Sequence, residues 1–158
     1  MIGTSASSTS RVYFTGYRGI VTEVFYPVVD TVNTVDLQFL VGDAAGTFVD
    51  EEKLQNYSVT RPDLKALLFQ AETTNTNHNW KISKRIFTDP TRNTLIQRVT
   101  FTALGGKKVG DFNVYVLHNP AMDNSGSGDT SRTLRAGGRT MLVASQGNRA
   151  SALAVSLP

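Results

Sequence analysis

The sequence has 158 residues, of which 40% are hydrophobic and 18% charged, and its net charge is +3. This length and composition are typical of one soluble globular domain and too small for two domains of ordinary size. The absence of cysteine excludes a disulfide framework and thiolate chemistry. No apolar run approaches the ~20 residues that span a bilayer, and the basic residues are scattered rather than clustered. We therefore expect neither a membrane nor a nucleic acid as a partner.

The N-terminal part of the chain predicts one short strand. Residues 3–10 are small and polar, which indicates a frayed start or a loop. Residues 11–15 predict a strand, and residues 16–19 predict a turn that leads into the most informative stretch of the sequence.

That stretch, residues 19–52, predicts a strand, a loop, a strand, a turn and a third strand. Alternation assigns the side chains of the first strand to two faces: Ile20, Thr22, Val24 and Tyr26 on one, Val21, Glu23 and Phe25 on the other. Pro27 ends this strand because proline has no N–H to donate to a ladder. The second strand is predicted to alternate in the same way, with one face formed by Val35, Leu37, Phe39 and Val41 and the other by Thr34, Asp36, Gln38 and Leu40.

The loop between these two strands carries two polar side chains, Asp30 and Asn33, among apolar neighbours. A loop held between strands of a rigid sheet can present a recognition surface. The loop is therefore a candidate for contact with a partner.

The rest of the chain predicts further short strands separated by turns. Residues 58–60 predict a short strand, and residues 66–73 fit either a helix or a strand, of which we favour the strand. The strongest hairpin joins residues 80–88 to residues 94–104 across an Asp-Pro turn. Residues 112–118 predict another strand, residues 123–130 a loop, and residues 140–144 and 150–155 a last hairpin. Nine or ten short strands without a convincing helix predict an all-β antiparallel sandwich that forms a single domain over residues 1–158.

Three consecutive carboxylates at positions 50–52 are the strongest acidic cluster. Glycoside hydrolysis needs two carboxyl groups facing each other across a sugar, about 5–10 Å apart. Adjacent strand residues point to opposite faces, and Asp50 and Glu52, which share a face, have no obvious partner in the sequence. We therefore interpret the cluster as a charged strand end or domain-contact surface and expect no catalytic residue in this chain.

No cofactor or metal site is expected either. Residues 123–129 resemble a calcium loop, but Leu134 stands where the bidentate glutamate would be. His78 and His118 have no cysteine, second histidine or carboxylate at ligand spacing. The residues alone indicate a domain that binds or supports another structure.

A series of short motifs resembles a known family over nearly the whole chain. In the first third the matching segments are EVFYP at 23–27, DT at 30–31, Asn33, LQ at 37–38, LV at 40–41 and FVDEE at 48–52. Later they are TDP at 88–90, Arg92, TL at 94–95, QR at 97–98, Phe101, Leu104, YVL at 115–117, NP at 119–120, Asn124, Gly126, GDT at 128–130 and LVA at 142–144. Their order and spacing resemble the N-terminal domain of bacterial and archaeal glucoamylases and glucodextranases of glycoside hydrolase family 15.

The resemblance implies a supersandwich-like antiparallel fold and a non-catalytic role. In that family the N-terminal domain packs against an (α/α) barrel that carries both catalytic glutamates and lies outside this sequence. The parent protein would be an exo-acting α-glucosidase, and this domain would brace its barrel and shape the active-site rim. Candidate residues for the contact are Tyr26, Pro27, Asp30 and Asn33. The family's domain is also longer than this chain, which implies a truncated sandwich that lacks its last strands.

Two alternatives stay open. The first is a stand-alone carbohydrate-binding module that uses exposed aromatic rings to stack against an α-glucan. Trp80 and Tyr17 are the candidates, and core packing is the competing role for such rings. The second is a self-associating β-protein, since a truncated sandwich would leave sheet edges open. The expected edges are residues 11–15 and 150–155, and the expected product is a homo-oligomer.

Overall fold

The computed structural model describes residues 1–156, which form thirteen strands and three single-turn 3-10 helices. The first seven strands are β1 (Ile2–Thr4), β2 (Tyr13–Tyr17), β3 (Ile20–Phe25), β4 (Val32–Asp43), β5 (Val49–Glu51), β6 (Asn56–Thr60) and β7 (Phe69–Asn75). The remaining six are β8 (Trp80–Thr88), β9 (Leu95–Ala103), β10 (Phe112–Pro120), β11 (Thr130–Ala136), β12 (Arg139–Gln146) and β13 (Arg149–Ala154). The 3-10 helices are Glu52–Leu54, Val109–Asp111 and Met122–Asn124. None of these helices is long and apolar enough to cross a membrane.

The strands form three antiparallel sheets. The first sheet has the order β1-β2-β3-β4-β10, with β5 also paired to β4. The second sheet has the order β6-β7-β8-β9, and the third the order β11-β12-β13. Because β4 is twelve residues long, it pairs with β3 along one half and with β5 along the other, while β10 runs along its opposite edge. The predicted all-β antiparallel architecture is confirmed.

The first and second sheets pack face to face around two apolar clusters. One cluster joins Phe14 and Val21 of the first sheet to Phe69, Ala71 and Ile86 of the second, and the Phe14 and Phe69 rings meet edge to face at 6.0 Å. The other joins Val41 and Phe112 to Trp80 and Ile82. Period-2 alternation along β7 and β8 directs every second side chain into this core, including those of Trp80, Ile82 and Ile86.

A buried ion pair separates the two clusters. Lys84 lies between Ile82 and Ile86 on the inner face of β8, and its Nζ is 2.5 Å from Oε1 of Glu52. Both side chains are fully buried. Burial lowers the pKa of Lys84 below 10.5, and the charge and hydrogen-bonding capacity of Glu52 oppose that shift. Glu52 also accepts hydrogen bonds from Thr73 Oγ1 at 3.1 Å and from the Phe39 amide at 3.1 Å. Its carboxylate thus ties the two sheets together.

Two adjacent bulges change the predicted faces of β3 and β4. Thr22 is skipped in the pairing of β2 with β3, where Thr15 pairs with Glu23 and Gly16 with Val21. Asp36 is skipped between β4 and β10, and its φ is 55°. Each extra residue reverses the side-chain alternation beyond it. As a result Val21 and Val24 both contact the first cluster, so the prediction that they lie on opposite faces is wrong.

The predicted hairpins are confirmed, whereas the predictions for the N-terminal segment and for β11 are wrong. The hairpin of β8 and β9 and the last hairpin are confirmed. The choice of a strand over a helix at residues 66–73 is also right, but that strand begins at Phe69 and ends at Asn75. The predicted loop at residues 3–10 is wrong in part because β1 pairs with β2. That pairing places residues 13–15 inside the first sheet and not at its edge, whereas β13 is an edge strand as expected. Strand β11, whose seven residues are all exposed, was not predicted.

The buried pair generates a stability prediction. Replacing Lys84 with Met leaves the Glu52 carboxylate buried without its cation, so we expect the free energy of unfolding to fall by about 3–5 kcal/mol. Lys84→Met combined with Glu52→Gln removes both charges, keeps an acceptor oxygen for the Phe39 amide and places an amide donor beside Thr73 Oγ1, which can also accept, so it should recover much of that loss. Urea unfolding followed by the fluorescence of buried Trp80 measures both.

Lys81→Met is the matched control. Lys81 lies on the same strand, β8, but on its outer face. Its side chain is partly exposed and 3.7 Å from Glu72, so its replacement should change stability by less than about 1 kcal/mol. Equal losses for Lys84→Met and Lys81→Met would show that the buried pair has no special role.

Candidate domain-contact surface

The loop between β3 and β4 is closed by its own backbone and by one buried amide side chain. The Tyr26 amide donates to the Thr31 carbonyl at 3.0 Å, and the Thr31 amide donates to the Val28 carbonyl at 3.2 Å. Asn33 Nδ2 donates to the carbonyls of Tyr26 at 2.7 Å and Thr31 at 3.1 Å. Since Asn33 is only 5% exposed, its side chain holds the loop together and does not face solvent.

A second segment, residues 121–124, clamps the same loop from outside. The Ala121 amide donates to the Asn33 carbonyl at 3.2 Å. Asn124 accepts from the Val32 amide at 2.7 Å and donates to the Asp30 carbonyl at 2.9 Å. These contacts join residues about ninety positions apart in the sequence, and they give the loop a defined conformation.

Arg149 at the start of β13 completes the clamp. Its guanidinium donates to the Tyr26 carbonyl at 3.2 Å and lies 3.2 Å from the Asp123 carboxylate. The loop is therefore attached to the third sheet through Arg149 and to the segment that precedes this sheet through Asn124. A loop held in this way is ordered before it meets a partner, which lowers the entropic cost of docking.

The four sequence-predicted contact residues have different positions in this loop. Tyr26 and Asp30 are exposed, Pro27 is half-buried, and Asn33 is buried. Two neighbours that sequence reasoning did not select, Val28 and Val29, are 49% and 64% exposed at the loop tip. The sequence could have indicated them, because two valines between a proline and an aspartate in a short loop are not expected to be buried in the core. The presented surface is therefore an apolar tip bordered by a tyrosine and a carboxylate.

The carboxylates at positions 50–52 are not the charged surface that their sequence suggests. Glu52 is fully buried in the ion pair with Lys84. Asp50 Oδ2 lies within hydrogen-bonding distance of three donors: Asn75 Nδ2 at 3.0 Å, His78 Nδ1 at 2.8 Å and Trp80 Nε1 at 2.9 Å. Only Glu51 faces outward, 3.5 Å from Lys53. The expectation that Asp50 and Glu52 lack partners is wrong, because their partners come from the second sheet.

The two aromatic candidates for sugar stacking also have different fates. Trp80 is fully buried in the second core cluster, where its indole N–H is bound by Asp50. A sugar ring cannot reach it, so the assignment of Trp80 as a stacking platform is wrong and the competing core role holds. Tyr17 is 66% exposed at the end of β2 and remains available for stacking.

An open cleft of about 440 Å³ lies beside the loop on the inner face of the first sheet. Its floor includes Val24, Leu37 and His118, and its walls come from residues 93–95 at the start of β9 and residues 150–153 of β13. His118 lies 3.0 Å from Thr34 Oγ1, and burial lowers the pKa of its imidazole below 6.5. The second and third sheets therefore both lie over the inner face of the first sheet, and the cleft is the gap between them.

A rigid β-sandwich that commits its buried carboxylates to structure and presents one braced loop has the features of an accessory domain. The comparisons with known proteins identify which one. All 158 residues match the family model described as "Glucodextranase, domain N". The chain therefore belongs to the glucodextranase domain N family, and the predicted family membership is confirmed.

Two relatives place this domain in larger proteins. A glucoamylase from Clostridium sp. (strain G0005) is 32% identical over 156 residues, which cover 99% of this chain and 22% of the relative. The crystal structure of a bacterial glucoamylase complexed with acarbose matches 97% of this chain and 23% of its own, with a TM-score of 0.92 and 32% identity. The chain thus corresponds to the non-catalytic N-terminal domain of a glucoamylase-type protein and spans about a fifth of that length.

The hydrogen bonds of Asn33 generate a prediction for this chain. Asn33→Ala removes the amide that joins the Tyr26 and Thr31 carbonyls, so we expect a loss of about 1–3 kcal/mol in the free energy of unfolding. Hydrogen exchange at the Thr31 and Val32 amides should accelerate more than exchange in β8. Asn148→Ala, which alters an exposed amide in the turn before β13, is the matched control and should stay within about 0.5 kcal/mol of the parent sequence.

Proposed function

We propose that this chain braces the catalytic barrel of a glucoamylase- or glucodextranase-type α-glucan hydrolase and shapes the rim of its active site. The observation that carries the proposal is the match of the whole chain to domain N. The two glucoamylase relatives contain more than four times the length of this chain, so they have ample further sequence for a catalytic domain in the same polypeptide. In this proposal the catalytic glutamates belong to that barrel, and the present domain supplies a rigid surface against it.

The loop of residues 26–33 is the proposed contact with the barrel. Its apolar tip, Val28 and Val29, is exposed where no core needs it, while Tyr26 and Asp30 offer an aromatic ring and a carboxylate beside that tip. Tyrosine is frequent among interface residues that contribute most to binding. Pro27 and the buried Asn33 support the conformation of the loop from behind.

The full-length parent protein tests this contact. Tyr26→Ala and Asp30→Ala should each lower its melting temperature or its turnover of maltose and starch, with at least one variant costing about 1 kcal/mol or more of domain coupling. Tyr115→Ala, which removes an exposed tyrosine from β10, is the control and should change neither quantity. Wild-type melting and kinetics in both loop variants would rule out the loop as the contact.

Carbohydrate binding by the domain itself is a second candidate function. Tyr17 and Tyr57 are both exposed. Tyr17 lies two residues before Gly19, and a Cβ atom added at Gly19 would lie 3.4 Å from the Tyr57 Cβ, so both tyrosines are close to this turn. Two tyrosine rings near one turn could form a stacking platform for an α-glucan. Calorimetric titration of this chain with maltoheptaose should give a heat signal that Tyr17→Ala abolishes. An unchanged signal in that variant would exclude the platform.

Self-association through open sheet edges is the remaining proposal for a partner. Residues 150–155, which include all of β13 after Arg149, are small or apolar and contain no proline, and residues 150–153 border the open cleft. Such an edge can pair with another strand. We expect sedimentation at micromolar concentration to detect a homodimer or larger assembly, and Ala152→Pro, which removes a backbone donor from β13, to weaken it. A compact monomer at that concentration would contradict this proposal.

A further inference from the structure

A groove of about 640 Å³ lies on the outer face of the second sheet and is bordered on one side by residues 4–6. Its apolar lining includes Leu67, Leu68 and Phe87. Three cationic side chains, Lys65, Arg85 and Arg98, also line it. Even-numbered side chains of β8 are buried in the core between the sheets, so the alternating odd-numbered side chains of Arg85 and Phe87 point outward. The groove therefore combines apolar surface with concentrated positive charge.

The two arginines are placed directly opposite each other. Arg85 on β8 pairs in register with Arg98 on β9, so both guanidinium groups start from neighbouring positions on one face. Like charges at directly opposed positions destabilise a sheet. Among residues 1–156, the salt bridges involve other cations, and the one side-chain hydrogen bond of this pair is a 3.4 Å bond from Arg85 Nε to Gln70 Oε1. Most of the donors of the pair are left for a ligand.

A polar subsite adjoins the groove at the same arginines. Gln70, Ser83 and Thr100 line it together with Arg85 and Arg98. The guanidinium fork of arginine matches the two oxygens of a carboxylate and binds them through parallel hydrogen bonds. An anion here would neutralise the repulsion between the two arginines and would also find the hydroxyl donor of Thr100, whereas the Ser83 hydroxyl already donates to Glu72 at 3.0 Å.

We propose that this groove docks an acidic polypeptide segment, with a carboxylate between Arg85 and Arg98 and an apolar side chain against Leu67 and Phe87. A simple anion would leave the apolar half of the groove unfilled, and an acidic saccharide would place hydroxyl groups there. A peptide supplies both chemistries: in an extended segment alternate side chains lie on one side, about 7 Å apart. An acidic residue followed two positions later by an apolar one fits the arrangement.

A labelled peptide that repeats glutamate, serine, leucine and serine tests the proposal directly. Fluorescence anisotropy with the 158-residue chain should detect binding that weakens about tenfold or more when glutamine replaces glutamate, because the charge-assisted hydrogen bonds are lost. Arg85→Gln/Arg98→Gln should weaken binding to a similar extent, and Leu67→Ser should weaken it independently. Circular dichroism confirms that each variant keeps its fold.

Arg132→Gln/Arg135→Gln is the matched control, because it removes the same charge from the exposed strand β11. It should change the affinity by no more than about twofold, through long-range attraction alone. Equal weakening by both double variants, equal binding of the glutamine peptide, or no binding at all would overturn the proposal. So would displacement of the peptide by inorganic phosphate or an oligogalacturonide at lower concentrations than an unlabelled copy of the peptide requires, since the groove would then be an anion or saccharide site.

Discussion

The buried contact between Glu52 and Lys84 is the constraint on which the rest of the sandwich depends. Removing two charges from water is costly, and the cost is recovered only where geometry and additional hydrogen bonds are good. Here the carboxylate reaches Lys84 and Thr73 of the second sheet and the Phe39 amide of the first. One side chain therefore sets how the sheets lie against each other, and the two apolar clusters fill the space on either side.

Polar side chains do similar work at the edge of the molecule. Asn33 and Asn124 bind the backbone of the loop after β3, and Arg149 attaches this loop to the third sheet. Asp50 gathers donors from three residues at the end of the second sheet. These contacts fix the positions of connecting segments that apolar packing alone would leave free. The exposed features of the domain, the valine tip and the arginine groove, are thus presented on a rigid scaffold, as an accessory domain requires.

Alternation predicted the central strands well because their side chains obey the period of two. Strand β8 was predicted with its observed bounds, since Trp80, Ile82 and Ile86 all point into the core. The same rule failed where the backbone departs from regular pairing. Nothing in the sequence marks Thr22 and Asp36 as bulged residues, although together they decide which side chains of β3 and β4 face inward. Strand β11 was missed because its side chains are exposed on both faces and carry no alternating signal.

The sequence by itself determined the fold class and the family, because strand periodicity is local and because the order of short motifs is preserved along the chain. Only the tertiary structure decided the roles of individual residues. Asp50 and Glu52 appear in the sequence as surface charges, yet they meet their partners inside the sandwich. Trp80 appears as a candidate platform and proves to be core. The physical reason is that the partners of a charged or aromatic side chain, which decide whether it is buried or exposed, are far away in the sequence. These partners come together only when the sheets stack.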